Sequence, residues 1–263
     1  MNTILRSTRL LTSYMLLALA VGGCASSSLQ EIHDTYQSEF RSQLSSASSK
    51  LSISNFNKVK FPETMRSITN FRQKYPSLDT ANKHTTVLEA LIYLQSGQYG
   101  QAKLAASTAE RMPGSLTTYG GGLSRDELLL RAMNTEPGLI GGWKMLAGKQ
   151  KSTPENLELA AQQLQDISSS TASSVVNGDD GRLYIAAVSS MLWRKLALTK
   201  ILGNANGKAI KKEYGAKMTT VLDPHLTTQE KGASATDVKA LSSWALRYRY
   251  VRLYQIGRSW ENL

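Results

Sequence analysis

Few side chains in this sequence pair a reactive group with a helpful neighbour. The one thiol, Cys24, closes an apolar run at Val21-Gly22-Gly23-Cys24, and its sulfur is a nucleophile open to covalent attachment. The three histidines, His33, His84 and His225, stand far apart in the chain, and none has a second histidine at the spacing of a metal pair. Each is expected at the surface: His33 in an amphipathic helix, His84 at a helix start, and His225 in a loop after Pro224. Asp179 and Asp180 lack the alternating oxygen ligands and distal glutamate of a calcium loop. They suit the start of a helix, where the dipole favours acids. Glu89 and Glu127 carry the carboxyl that a glycan-cleaving acid needs, but such an acid works only when buried in a cleft. G-x-S-x-G, S-x-x-K, H-E-x-x-H and Walker sequences are absent, so neither a metal nor a cofactor is expected and the chain reads as no enzyme.

The surroundings of Cys24 decide what its sulfur meets. Arg6 and Arg9 supply a basic start and Leu10 to Val21 a mostly apolar middle, the layout of a secretory signal over residues 1–23. The apolar stretch is short for a membrane-spanning helix, which needs about 20 such residues. Small residues followed by cysteine resemble the lipobox of bacterial lipoproteins. That resemblance implies lipidation of Cys24, cleavage before it, and acylation such as palmitate on the new N-terminus. Ala25 rather than aspartate follows the cysteine. In a Gram-negative host this implies sorting to the outer membrane, facing the periplasm. With its only cysteine lipidated, the domain has no internal disulfide. Losing Arg6 and Arg9 lowers the net charge from +11 to +9. For an exported chain such a charge points to lipid headgroups, peptidoglycan or acidic protein faces, not to nucleic acid. A lipid anchor holds the protein firmly by itself, so the folded part has no need to bind membrane.

Residues 24–29 read as a Ser-rich, flexible tether, and 30–263 as one all-α domain. Apolar residues at helical spacing predict a first helix over Gln30 to Lys50 and a second from Pro62 to Tyr75. Asp79 is the expected cap of a third helix, which the sequence QSGQYGQAK breaks and restarts before Met112-Pro113-Gly114 ends it. Residues 113–153 read as irregular, Gly-rich loops, with one helix after a Ser124–Glu127 capping box and a short one around Trp143 to Ala147. Thr153-Pro154 restarts order. The helix from Arg182 to Leu202 is apolar around much of its girth and should lie near the centre. A basic helix follows from Lys208 to Val221, then a loop from Pro224 to Gly232, and a last helix runs to Trp260. Sustained period-two alternation is absent, so no sheet is expected.

Tyr93, Gly97, Tyr99, Ala102 and Ala109, with Pro113 one place early, fall on the landmarks of a helical hairpin with a glycine turn and a small-residue face. The block resembles a tetratricopeptide repeat, although Thr86 and Glu89 replace the early Trp and Leu of the pattern. The resemblance implies an α-solenoid of antiparallel helical hairpins. The last helix interleaves Trp244, Tyr248, Tyr250, Tyr254 and Trp260 with Arg247, Arg249, Arg252 and Arg258. Its simplest role is to cap the stack, arginine stems lying along the rings. If exposed, Arg247, Tyr250, Tyr254 and Arg258 are the expected surface for a partner. The expected function is a non-catalytic envelope adaptor or assembly factor. The alternatives are a peptidoglycan-binding module using the last helix, and a cell-wall lytic enzyme on a helical superhelix.

Overall fold

Pro62 and Pro154 each open a helix, at a position where proline's missing N–H leaves nothing unpaired. The computed structural model describes residues 24–40, 42–43, 59–117, 125–170, 180–234 and 245–263. The expected signal over 1–23 and the Ser124 cap lie outside these residues. Helix α1 covers 24–40. It is followed by α2 (Pro62–Lys74), α3 (Asp79–Gln95), α4 (Tyr99–Arg111), α5 (Arg125–Asn134), α6 (Gly138–Leu146), α7 (Pro154–Ser169), α8 (Asp180–Ile201) and α9 (Gly207–Leu222). A 3₁₀ turn at Asp223–His225 leads to α10 (Thr228–Gly232), and α11 (Ala245–Glu261) ends the array. No strand occurs among the described residues. The fold is all-α, built from antiparallel hairpins. The pairs α3/α4, α7/α8, α8/α9 and α9/α11 pack along their lengths, and α3/α5, α4/α6, α5/α7 and α6/α8 touch across one helix, as in a solenoid.

Helix α8 takes the central place its composition predicts, touching α5, α6, α7, α9 and α11. Small residues set the closest approaches. Ala102, Ala105, Ala106 and Ala109 give α4 a buried flat face, and Gly97 turns the chain at φ 75°. Gly215 and Gly257 let α9 and α11 nearly touch: a Cβ at Gly215 would lie 2.7 Å from both the Gly257 carbonyl oxygen and the Glu261 nitrogen.

The structure departs from the sequence reading in several places. Residues 24–29 are helical, with Ala25 and Leu29 buried, because they continue the stripe of Ile32, Tyr36 and Phe40 two turns further. Leu78, not Asp79, is the residue before α3, and its side chain makes no capping bond. The short helix expected around Trp143 is α6, which starts five residues earlier at Gly138. Gly141 and Gly142 do not break it but fit it in place: a Cβ at Gly142 would stand 3.0 Å from Leu192 of α8. The polar segment expected as a loop after Pro224 holds α10, opened by a capping box between Thr227 and Glu230.

Candidate functional site

Three helices bring a charged cluster into the interior. His33 of α1, His84 of α3 and Asp126 of α5 are each 1% exposed or less, and Arg125 is buried beside them. This corrects the expected surface placement of both histidines. The spacing explains why. His33 stands four residues after Leu29 and three before Tyr36, and His84 three after Ala81 and four before Leu88, so both lie on the core face of their helices. Asp126 likewise leads Leu129, Leu130 and Met133. Gly181 opens the space at the cluster's edge, since a Cβ there would meet the Arg125 Cβ at 2.6 Å.

The hydrogen bonds fix the protonation pattern. His84 Nδ1 donates to Asp126 Oδ2 at 2.7 Å, and His33 Nε2 stands 3.5 Å from the same oxygen. Arg125 Nη2 donates to His33 Nδ1. Arginine cannot accept, so Nδ1 carries a lone pair and His33 is the neutral Nε2–H tautomer, its proton aimed at Asp126. Burial, helped by the Arg125 charge, pushes the His33 pKa down in agreement with that geometry. Burial acts to raise Asp126, but the two imidazoles and Arg125 override it and hold the carboxyl well below the usual range. One guanidinium therefore faces one carboxylate, with the neutral His33 imidazole between them. The cluster fastens α1 to α3 and α5. Tyr36 adds a bond from its hydroxyl to Gln95 Oε1 at 2.8 Å, and Glu39 of α1 caps α2 by accepting from Glu63 N and Thr64 N, each at 2.9 Å.

The outer side of the same hairpin is open. A groove of about 510 Å³ runs between α3, α4 and α5, lined by Lys83, Glu110, Glu127, Leu130, Arg131 and Asn134. Lys83 Nζ is held by the Met112 and Gly114 carbonyls at 3.0 and 3.1 Å, and Asn134 donates to Glu110. Glu127 and Arg131 stay exposed. Among the described residues the groove thus presents fixed polar walls with Glu127 and Arg131 facing outward, a surface suited to hydrogen-bonding an extended or helical segment of another chain.

The other residues singled out from the sequence are spread over the molecule. Cys24 is exposed at the start of α1. Ala102 and Ala109 pack the α3/α4 hairpin, Tyr93 donates to Glu89 at 3.0 Å, Tyr99 is partly buried, and Pro113 is exposed past the end of α4. Glu89 also binds Arg72 at 2.8 Å, and Glu127 is at the surface rather than in a closed cleft. In α11 Tyr250 and Tyr254 turn inward. Tyr250 and Tyr254 are 4% and 7% exposed, so they fill the core and leave the expected contact surface. Arg247 chelates Glu230 through both carboxylate oxygens, and Arg258 is exposed, bridged to Glu261 at 2.8 Å. His225 is half-buried at the same end; burial, with Arg182 and Arg247 adding to it, lowers its pKa to about 4. Among the described residues no group of three or more His, Cys, Asp or Glu is set to hold a metal. No helix among them is long and apolar enough to cross a membrane. No protein-family model, curated protein or solved structure matches this chain.

Proposed function

We propose that this chain is a non-catalytic, lipid-anchored scaffold of the bacterial cell envelope, which holds a segment of another envelope protein against its helical array. The observation that carries this reading is the open α3–α5 groove, whose walls are fixed internally while Glu127 and Arg131 face outward. Solenoids of stacked hairpins use such surfaces to bind peptides and partner helices. The similarity of α3 and α4 to a tetratricopeptide repeat supports the same use. Cys24, exposed at the head of α1, supplies the attachment point, and the lipobox-like sequence before it supports an address at the outer membrane facing the periplasm. The contact surface moves from α11, whose Tyr250 and Tyr254 are internal, to the groove.

The test is affinity capture from detergent-solubilised envelopes after mild cross-linking. A protein partner should co-purify with the tagged chain at a fixed ratio. A tagged chain that comes out alone sinks the scaffold reading. Replacing Cys24 with serine should release the protein from membranes washed with high salt, and full retention after the wash would contradict the anchor.

A further inference from the structure

A second surface lies at the tip of the α8/α9 hairpin. Leu198, in the last turn of α8, and Leu202, just past its end, are 44% and 82% exposed. Leucines left in water at a helix end gain nothing for the fold. From Leu198 to Lys212 the chain carries four lysines, Lys200, Lys208, Lys211 and Lys212, and no acid. Lys208, Lys211 and Lys212 all fall in the first two turns of α9, which has no acid in its first turn. Cations there oppose the helix dipole and weaken the helix, so their position is not explained by stability. Glu213, the nearest acid along α9, is bridged to Lys217 at 3.2 Å. Lys200 donates to the Tyr214 hydroxyl at 2.7 Å and is within electrostatic reach of Glu155 and Glu158 of α7 and of Glu213, whereas Lys211 lies 5.9 Å from the centre of the Trp260 ring. The tip therefore presents two exposed apolar side chains, with Lys208 and Lys212 exposed on the turns that follow.

We infer that the α8/α9 tip docks on an anionic lipid surface, with Leu198 and Leu202 entering the headgroup layer and the lysines pairing with lipid phosphates. The charge run selects an anionic partner. The leucines select a lipid over a soluble polyanion, because only a bilayer removes them from water. The contact is weak and salt-sensitive, since it is made by surface charges and two side chains. It does not depend on the lipidation of Cys24.

The experiment uses the full chain with Cys24→Ser, so that a cysteine-directed, polarity-sensitive dye can be placed at one position only. Leu202→Cys carries the dye at the tip. Leu104→Cys, on the exposed face of α4, carries it in the control. Vesicles are phosphatidylcholine alone or phosphatidylcholine with phosphatidylglycerol. The dye at 202 should shift to the blue with the anionic vesicles only, and salt should reverse the shift. Changing Lys208, Lys211 and Lys212 to Gln together should weaken vesicle binding by about 100-fold, each lysine near such a surface contributing roughly fivefold. No shift at 202, the same shift with neutral vesicles, or an equal shift at 104 would each overturn the proposal. Because the Cys24→Ser chain carries no lipid, a failure here leaves the anchor to its own fractionation test.

Discussion

Helix α5 sends polar residues in two directions, and they end in opposite conditions. Inward, Asp126 and Arg125 are sealed with His33 and His84, Asp126 accepting from His84 and Arg125 donating to His33. Outward, Glu127 and Arg131 are exposed on the wall of an open groove. Residues next to each other in sequence thus belong to different tasks. The inner set holds three helices in register, with His33, His84 and Asp126 each 1% exposed or less. The outer set is available to a partner.

The sharpest break of this comparison is Asp126→Ala. It strands the His84 N–H and leaves the Arg125 charge buried without its partner, so stability should drop by about 3–5 kcal/mol, read as a large fall in Tm. If Tm moved by no more than for a surface substitution, the cluster would not be the clamp described here. Next in size is Gly215→Ala in the C-terminal half. Its methyl group would collide with α11 backbone at Gly257 and Glu261, and the cost should reach about 1–3 kcal/mol. A denaturant midpoint unchanged by the substitution would contradict the close α9/α11 approach.

Acid should weaken the fold in a graded way. His33 and His225 are both held below the ordinary value of 6.5, to about 4 for His225. Between these limits the unfolded chain binds protons that the folded chain refuses, so stability falls as pH drops from 6.5 towards 4 and is insensitive to these groups above 7. His33→Gln should flatten part of that slope. A Tm profile that rose on acidification would reverse the assignment of both imidazoles as neutral. The smallest effect expected is at Thr153, whose side chain accepts from Asn156 N at 3.2 Å; Thr153→Ala should cost about 1 kcal/mol.

Much of the fold was legible because it rests on local signals. Pro62, the Thr153-Pro154 pair, the Gly97 turn and the apolar girth of α8 each specify structure within a few residues. Glycines misled where they act through distant neighbours. Gly142 looks like a breaker until Leu192 of α8 is seen against it. The site was less legible for a related reason. His33 and His84 do sit at core spacing on their helices, yet a histidine reads as polar until its partners are known, and Asp126 lies 42 residues beyond His84. The inward turn of Tyr250 and Tyr254 was equally hidden, since an aromatic-rich helix has the same sequence whether it caps a stack or binds a partner.

The scaffold reading is tested most directly by placing a photo-cross-linking residue at position 131, in the groove, and at position 104, on the exposed face of α4, in two otherwise native chains. In intact envelopes the chain labelled at 131 should form one discrete protein adduct. Glu127→Lys should abolish it while leaving Tm within about 0.5 kcal/mol of stability, as for a surface change. The chain labelled at 104 should form none. An adduct of equal strength at both positions, or none at 131, would contradict the assignment of the groove as the place where a partner is held.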